Sequence, residues 1–87
     1  MRIHPHALKR MLERGCKKAE VEYTVKHGKR SKANFDRTKF THTFAYNRKW
    51  LGTHYDHKIV EAFAIDESGD EDDVEDWLVI TVIVKYF

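Results

Sequence analysis

Phe40-Thr41-His42-Thr43-Phe44-Ala45-Tyr46 sets a ring at every second position, with small or β-branched residues between. That period of two belongs to a strand with one face buried, and Asn47-Arg48-Lys49 directly after it can turn the chain. A second strand is predicted over about residues 54–65, with Ile59, Phe63 and Ile65 on one face and His54, Asp56 and Lys58 on the other. A lysine there suits an edge strand, where charge discourages pairing with other chains. Trp77 to Phe87 is apolar at both parities, as expected of a central strand covered on both sides. Its even positions, Leu78, Ile80, Val82 and Val84, are expected to meet the helices, while Thr81 carries a hydroxyl that needs a partner if buried.

Upstream of Phe40 the period changes. Lys29 to Asp36 shows neither a strand nor a helix repeat and reads as a basic loop. Val21, Thr24 and Val25 predict a helix over about residues 18–27 with Gly28 ending it, although Lys17 has no side-chain oxygen to cap its start. A first helix is predicted over residues 5–14, because Pro5 suits the first helical position and Gly15 the left-handed position after the last. Ala7, Leu8, Met11 and Leu12 form its apolar stripe. Two N-terminal helices packed on a three- to four-stranded, mainly antiparallel sheet make an α+β fold. At 87 residues, the chain is expected to be a single domain, residues 1–87, with a thin core.

With 41% apolar and 34% charged residues the composition is that of an ordinary globular chain. The first residues lack the apolar run of a signal peptide and the longest apolar stretch is too short to span a bilayer, so a cytoplasmic location and no membrane contact are expected. One cysteine, Cys16, makes no disulfide framework and reads as a buried structural thiol. The net charge of +2 hides a strong asymmetry, because eight of the fourteen acids lie within residues 66–76. The remaining 76 residues hold all sixteen Lys and Arg against six acids. A body so basic favours phosphate-rich partners, which exchange counterions for Lys and Arg. The acidic run itself reads as a solvated hairpin loop or as a shield for the basic face.

His4-Pro5-His6-Ala7-Leu8-Lys9-Arg10-Met11-Leu12-Glu13-Arg14-Gly15, followed by Glu20 and Val21, resembles the opening of the family called domain of unknown function 4258, and Val79 to Val84 resembles its closing strand. The helix-then-sheet layout implied by that resemblance is similar to the RelE-type and colicin-type ribonuclease toxins. It implies a metal-independent endoribonuclease toxin acting on RNA, without a cofactor, with a small acidic antitoxin or immunity-type protein as partner. The other expectation is a non-catalytic RNA-binding or protein-interaction domain.

Positions 6, 10 and 14 follow one another up a helix with a drift of about 40° per step, so His6, Arg10 and Arg14 share a stripe. Cleavage through the RNA 2′-hydroxyl needs a base near neutrality and cations at the phosphate. His6 fits the first role and Arg10 and Arg14 the second, with Lys58 and Thr81 assisting from the sheet. The same arginines fit a surface paired with Glu13 and Glu20 equally well. Lys29, Arg30, Lys32, Arg37, Arg48 and Lys49, interleaved with Phe35, Phe40, Phe44, Tyr46 and Trp50, suit phosphate contact and base stacking, although aromatics at period two are also core. His4 with His6 and His54 with His57 fall on different faces, and neither a zinc motif nor an EF-hand order is present, so no metal is expected.

Overall fold

The structure, a computed structural model, describes residues 1–67 and 76–87. Among the described residues five strands and two helices follow one another as β1 (Arg2–Ile3), α1 (Pro5–Arg14), α2 (Lys18–His27), β2 (Lys29–Lys32), β3 (Thr38–Trp50), β4 (Thr53–Asp66) and β5 (Trp77–Tyr86). They form one sheet in the order β1-β5-β4-β3-β2, in which only the β1–β5 pair is parallel. Both helices lie on the same face, α1 over β5 and α2 over β3 and β4. The α+β architecture expected from the sequence is present, as a mixed sheet with five strands in place of three or four. No helix among the described residues is long and apolar enough to cross a membrane.

The two additional strands come from segments without a readable period. β1 has two residues and is held by its register, Arg2 opposite Leu78 and Ile3 opposite Val79, with the His4 N–H donating to the Val79 carbonyl at 2.8 Å. β2 occupies the first half of the stretch expected to be a loop, where Lys29 to Lys32 pair with Thr41 to Thr38 of β3. All four β2 residues are exposed, so no apolar alternation could announce them. Arg2 also forms an ion pair with Glu67. The loop reading of the acidic run falls mostly on residues 68–75, which lie outside the described residues.

Two features differ from the sequence reading for reasons of register. β3 does not turn at Asn47-Arg48-Lys49 but continues to Trp50, taking up one extra residue between Ala45 and Arg48. Asn47 adopts φ 48° there, a left-handed conformation that asparagine tolerates in a bulge. The turn is Leu51-Gly52, with φ 51° and 86°, the two positive values of a type I′ hairpin. A second bulge puts Ile80 out of step in β5, since Thr81 faces Phe63 and Val79 faces Ala64. Beyond it the parity inverts, so Val82 and Val84 meet the helices as expected, whereas Trp77 and Val79 do so in place of Leu78 and Ile80.

The core unites Ala7 and Met11 of α1, Val21 and Val25 of α2, and Phe40, Val60, Ala62, Ala64, Trp77, Val79, Val82 and Val84 of the sheet. Phe40 and Trp77 meet edge to face with centroids 5.0 Å apart. Leu8 and Leu12, expected in the buried stripe of α1, are 43% and 85% exposed. One narrow layer on one sheet leaves α1 only the Ala7/Met11 line to bury. Among the described residues no helix lies on the opposite sheet face, so the helices cover β5 on one side, not on both as expected.

Candidate active site

Gly15 ends α1 at φ 70°, and the chain reverses there so tightly that a Cβ on it would lie 2.5 Å from the Trp50 ring. The last carbonyls of a helix have no intrahelical donor. Two side chains from the sheet reach them. The Tyr86 hydroxyl donates to the Arg14 carbonyl at 2.6 Å, and Lys58 Nζ donates to the Gly15 carbonyl at 2.6 Å. A cation also suits the negative end of the helix dipole. Lys58 Nζ donates further to Glu20 Oε1 at 2.8 Å, which accepts the Lys17 N–H at 2.9 Å as well. Glu20 thus supplies the start of α2 with the cap that the Lys17 side chain cannot give.

Lys58 is 3% exposed, inward on a central strand beside Val60, Ala62 and Ala64, and is not the edge charge expected from the sequence. Its ammonium lies 5.8 Å from the Tyr46 ring and 5.6 Å from the Tyr86 ring, and the Arg48 guanidinium stands 5.0 Å from Tyr46. Trp50 stacks on Tyr86 at 5.1 Å and closes the wall. Together Gly15, Lys17, Glu20, Tyr46, Arg48 and Lys58 line a cleft of about 250 Å³. Cys16 is buried next to it, and its thiol is pushed up to about 11, first by burial, then by the Glu20 charge, against the opposing pull of Lys58. It is protonated at neutral pH and is no nucleophile there. Burial, followed by Tyr46, Glu20 and Cys16, pushes the Tyr86 phenol up to about 12 against Arg48, which keeps it a hydrogen-bond donor.

The five residues proposed from the sequence to act together are not brought to one place. Lys58 lies under the helices, while Thr81 lines the opposite sheet face with Lys39, Phe63 and Ile83. His6 and Arg10 line a separate depression on the outside of α1 with Lys9 and Glu13, and Arg14 contributes its carbonyl, with its side chain exposed. The His6 N–H donates to His4 Nδ1 at 3.1 Å, a helix-start contact. The basic residues separate likewise. Lys29 and Lys32 stand on the β2 edge, Arg37 lies in the β2–β3 turn, and Arg48 with Lys49 is on the β3–β4 hairpin. Arg30 lies over the Phe40 and Trp77 rings at 5.3 and 5.5 Å, capping the core.

Glu20, Tyr46 and Tyr86 had no catalytic role in the sequence reading. One signal was available, since a lysine at the inward parity of Lys58-Ile59-Val60-Glu61-Ala62 demands a buried partner. No group of three or more His, Cys, Asp or Glu among the described residues is placed to hold a metal ion. No family model, curated protein or solved structure matches the chain. The chemistry of the cleft rests on its own atoms.

Proposed function

We propose that the protein is a small metal-independent endoribonuclease whose reacting centre is the Lys58 cleft, with the His6 stripe outside it. The observation that carries this reading is the 2.8 Å contact of a buried ammonium with a carboxylate at the floor of a cleft rimmed by Tyr46 and Arg48. A carboxylate, two cations and a phenol are the groups that transfer within an RNA strand requires. Glu20 takes the proton of the 2′-hydroxyl, whose oxygen attacks the neighbouring phosphorus. Lys58 and Arg48 face the charge that builds on the phosphoryl oxygens, and Tyr46 gives its proton to the departing 5′-oxygen. The products are a 2′,3′-cyclic phosphate and a 5′-hydroxyl.

Purified protein incubated with RNA in EDTA tests this. Arg48→Ala, an exposed site, lowers kcat by about a hundredfold if the guanidinium stabilises the transition state, while His6→Ala leaves it unchanged. Loss of cleavage in His6→Ala with full activity in Arg48→Ala moves the site to α1. Absence of cleavage in the wild type overturns the enzyme reading. A second reading, a non-catalytic RNA-binding domain, is favoured by one observation. Lys58 already holds two short hydrogen bonds, as a purely structural cation would. It predicts RNA affinity without cyclic-phosphate product.

A further inference from the structure

One well-formed depression lies on the outer face of the sheet, which no helix among the described residues covers. Phe63, Thr81 and Ile83 form the floor there, and the β2–β3 turn bends over them to make a pocket of about 400 Å³, within the size range of small-ligand sites. A second depression of about 260 Å³ adjoins it and is more polar. Lys32, Ala33 and Arg37 line both. Two cations therefore stand where an apolar chamber meets a polar one.

Phe35 gives this arrangement its direction. It is 85% exposed at the turn, with φ 62°, and Asp36 follows at φ 57°. Bulky side chains rarely adopt the left-handed region, and a strained residue at a cavity is a reason to look for a ligand. The turn is fixed by its own hydrogen bonds, Ala33 N–H to the Arg37 carbonyl at 2.9 Å and Arg37 N–H to the Asn34 carbonyl at 3.4 Å. The Arg37 guanidinium lies 5.9 Å from the Phe35 ring. Lys39, the remaining cation of the pocket, pairs with Glu61 at 3.6 Å, and Lys85 holds the other oxygen of that carboxylate at 3.5 Å. Glu61 is thus neutralised from both sides. Among the described residues neither Lys32 nor Arg37 is in an ion pair.

An exposed aromatic ring beside an apolar floor, with two cations at one end that form no ion pair among the described residues, matches a flat apolar group that carries an anion. We infer that the outer sheet face binds a nucleotide, its base between Phe35 and Phe63 and its phosphate at Lys32 and Arg37. Base stacking on an aromatic ring tolerates every base, and a guanidinium matches a phosphate with two parallel donors. The site is separate from the Lys58 cleft, on the opposite side of the sheet, and does not depend on cleavage there. The nucleotide is either a residue of an RNA strand or a free mononucleotide.

Amide shifts of the full, isotope-labelled chain test the inference with four probes: adenosine monophosphate, adenosine, inorganic phosphate and a short single-stranded oligoadenylate. The mononucleotide moves the amides of residues 33–39, 63 and 81–83, with adenosine and phosphate each at least about tenfold weaker. Phe35→Ser, at an exposed position, weakens the mononucleotide about tenfold and leaves phosphate unchanged, a factor within the range for one stacked base. Arg37→Gln weakens the mononucleotide and phosphate and leaves adenosine unchanged. Tighter binding of the oligoadenylate assigns the site to a strand, and equal binding assigns it to the free nucleotide, both upholding it. Phosphate as tight as the mononucleotide, an unaffected Phe35→Ser, shifts confined to residues 46–58, or no shift with any probe overturns it.

Discussion

Lys58 joins three parts of the molecule through one atom, since the Gly15 carbonyl, the Glu20 carboxylate and β4 all meet at Nζ. Removing a buried cation costs more than its net contribution, because the carboxylate is left without a counter-charge. Glu20 keeps 21% of its side-chain surface, so water screens part of that loss. Lys58→Met is expected to lower stability by about 2 to 3 kcal/mol in urea unfolding. Adding Glu20→Gln removes the stranded charge and is expected to restore about 1 kcal/mol. A double variant whose loss equals the sum of the single losses would show that the two side chains are not coupled. That Lys58 stands on the face opposite Ile59 and Phe63 was legible in the sequence, but not that this face is the buried one, and its partner lies 38 residues away on a helix. Periodicity places a residue on a face and says nothing about what stands opposite.

At the scale of elements, the helices were legible because their ends carry chemical markers. Pro5 and Gly15 bracket α1, and α2 ends at Gly28 as expected. The strands were legible in their interiors and not at their bulges. One extra residue near Asn47 and another at Ile80 shift the pattern without changing its composition, so the inner face of β5 was read correctly after the bulge, at Val82 and Val84, and inverted before it, at Trp77 and Val79. The β3–β4 turn hides in the same way, because Leu51 is a poor choice for a position with φ 51°. Leu51 is also 85% exposed, so its side chain stabilises little. Leu51→Asn is therefore expected to stabilise the hairpin by about 0.5 to 1 kcal/mol, seen as a Tm rise of several degrees. An unchanged or lower Tm would mean that the leucine is held by packing at the tip.

Over the whole molecule, charge is distributed by position in the sheet. Lys29 and Lys32 line the β2 edge, Arg37 lies at the turn after it, and Arg48 and Lys49 are on the long hairpin, so the basic residues expected to bind nucleic acid follow β2 and β3 from end to end. An RNA strand laid along them would neutralise several phosphates at once. Its affinity is expected to fall steeply with salt, and Lys29→Gln with Lys32→Gln to flatten the log–log slope by about 1.4, from roughly 0.7 per contact on a single strand. A slope unchanged by the pair would place the strand elsewhere. The basic character was evident from composition, but its division between two sheet faces follows from topology.

The position of β5 also sets an order of events. It is the last of the five strands to be made, yet it lies between β1 and β4 and contributes Trp77, Val79, Val82 and Val84 to the core. During synthesis, a chain that has emerged as far as β4 has a gap between β1 and β4 where β5 belongs, and the Ala7 and Met11 line of α1 lacks the strand it packs on. The native sheet therefore cannot close until residues 77–86 have left the ribosome. Both the Lys58 cleft, which needs Tyr86, and the outer pocket, which needs Thr81 and Ile83, come into being only after release of that strand.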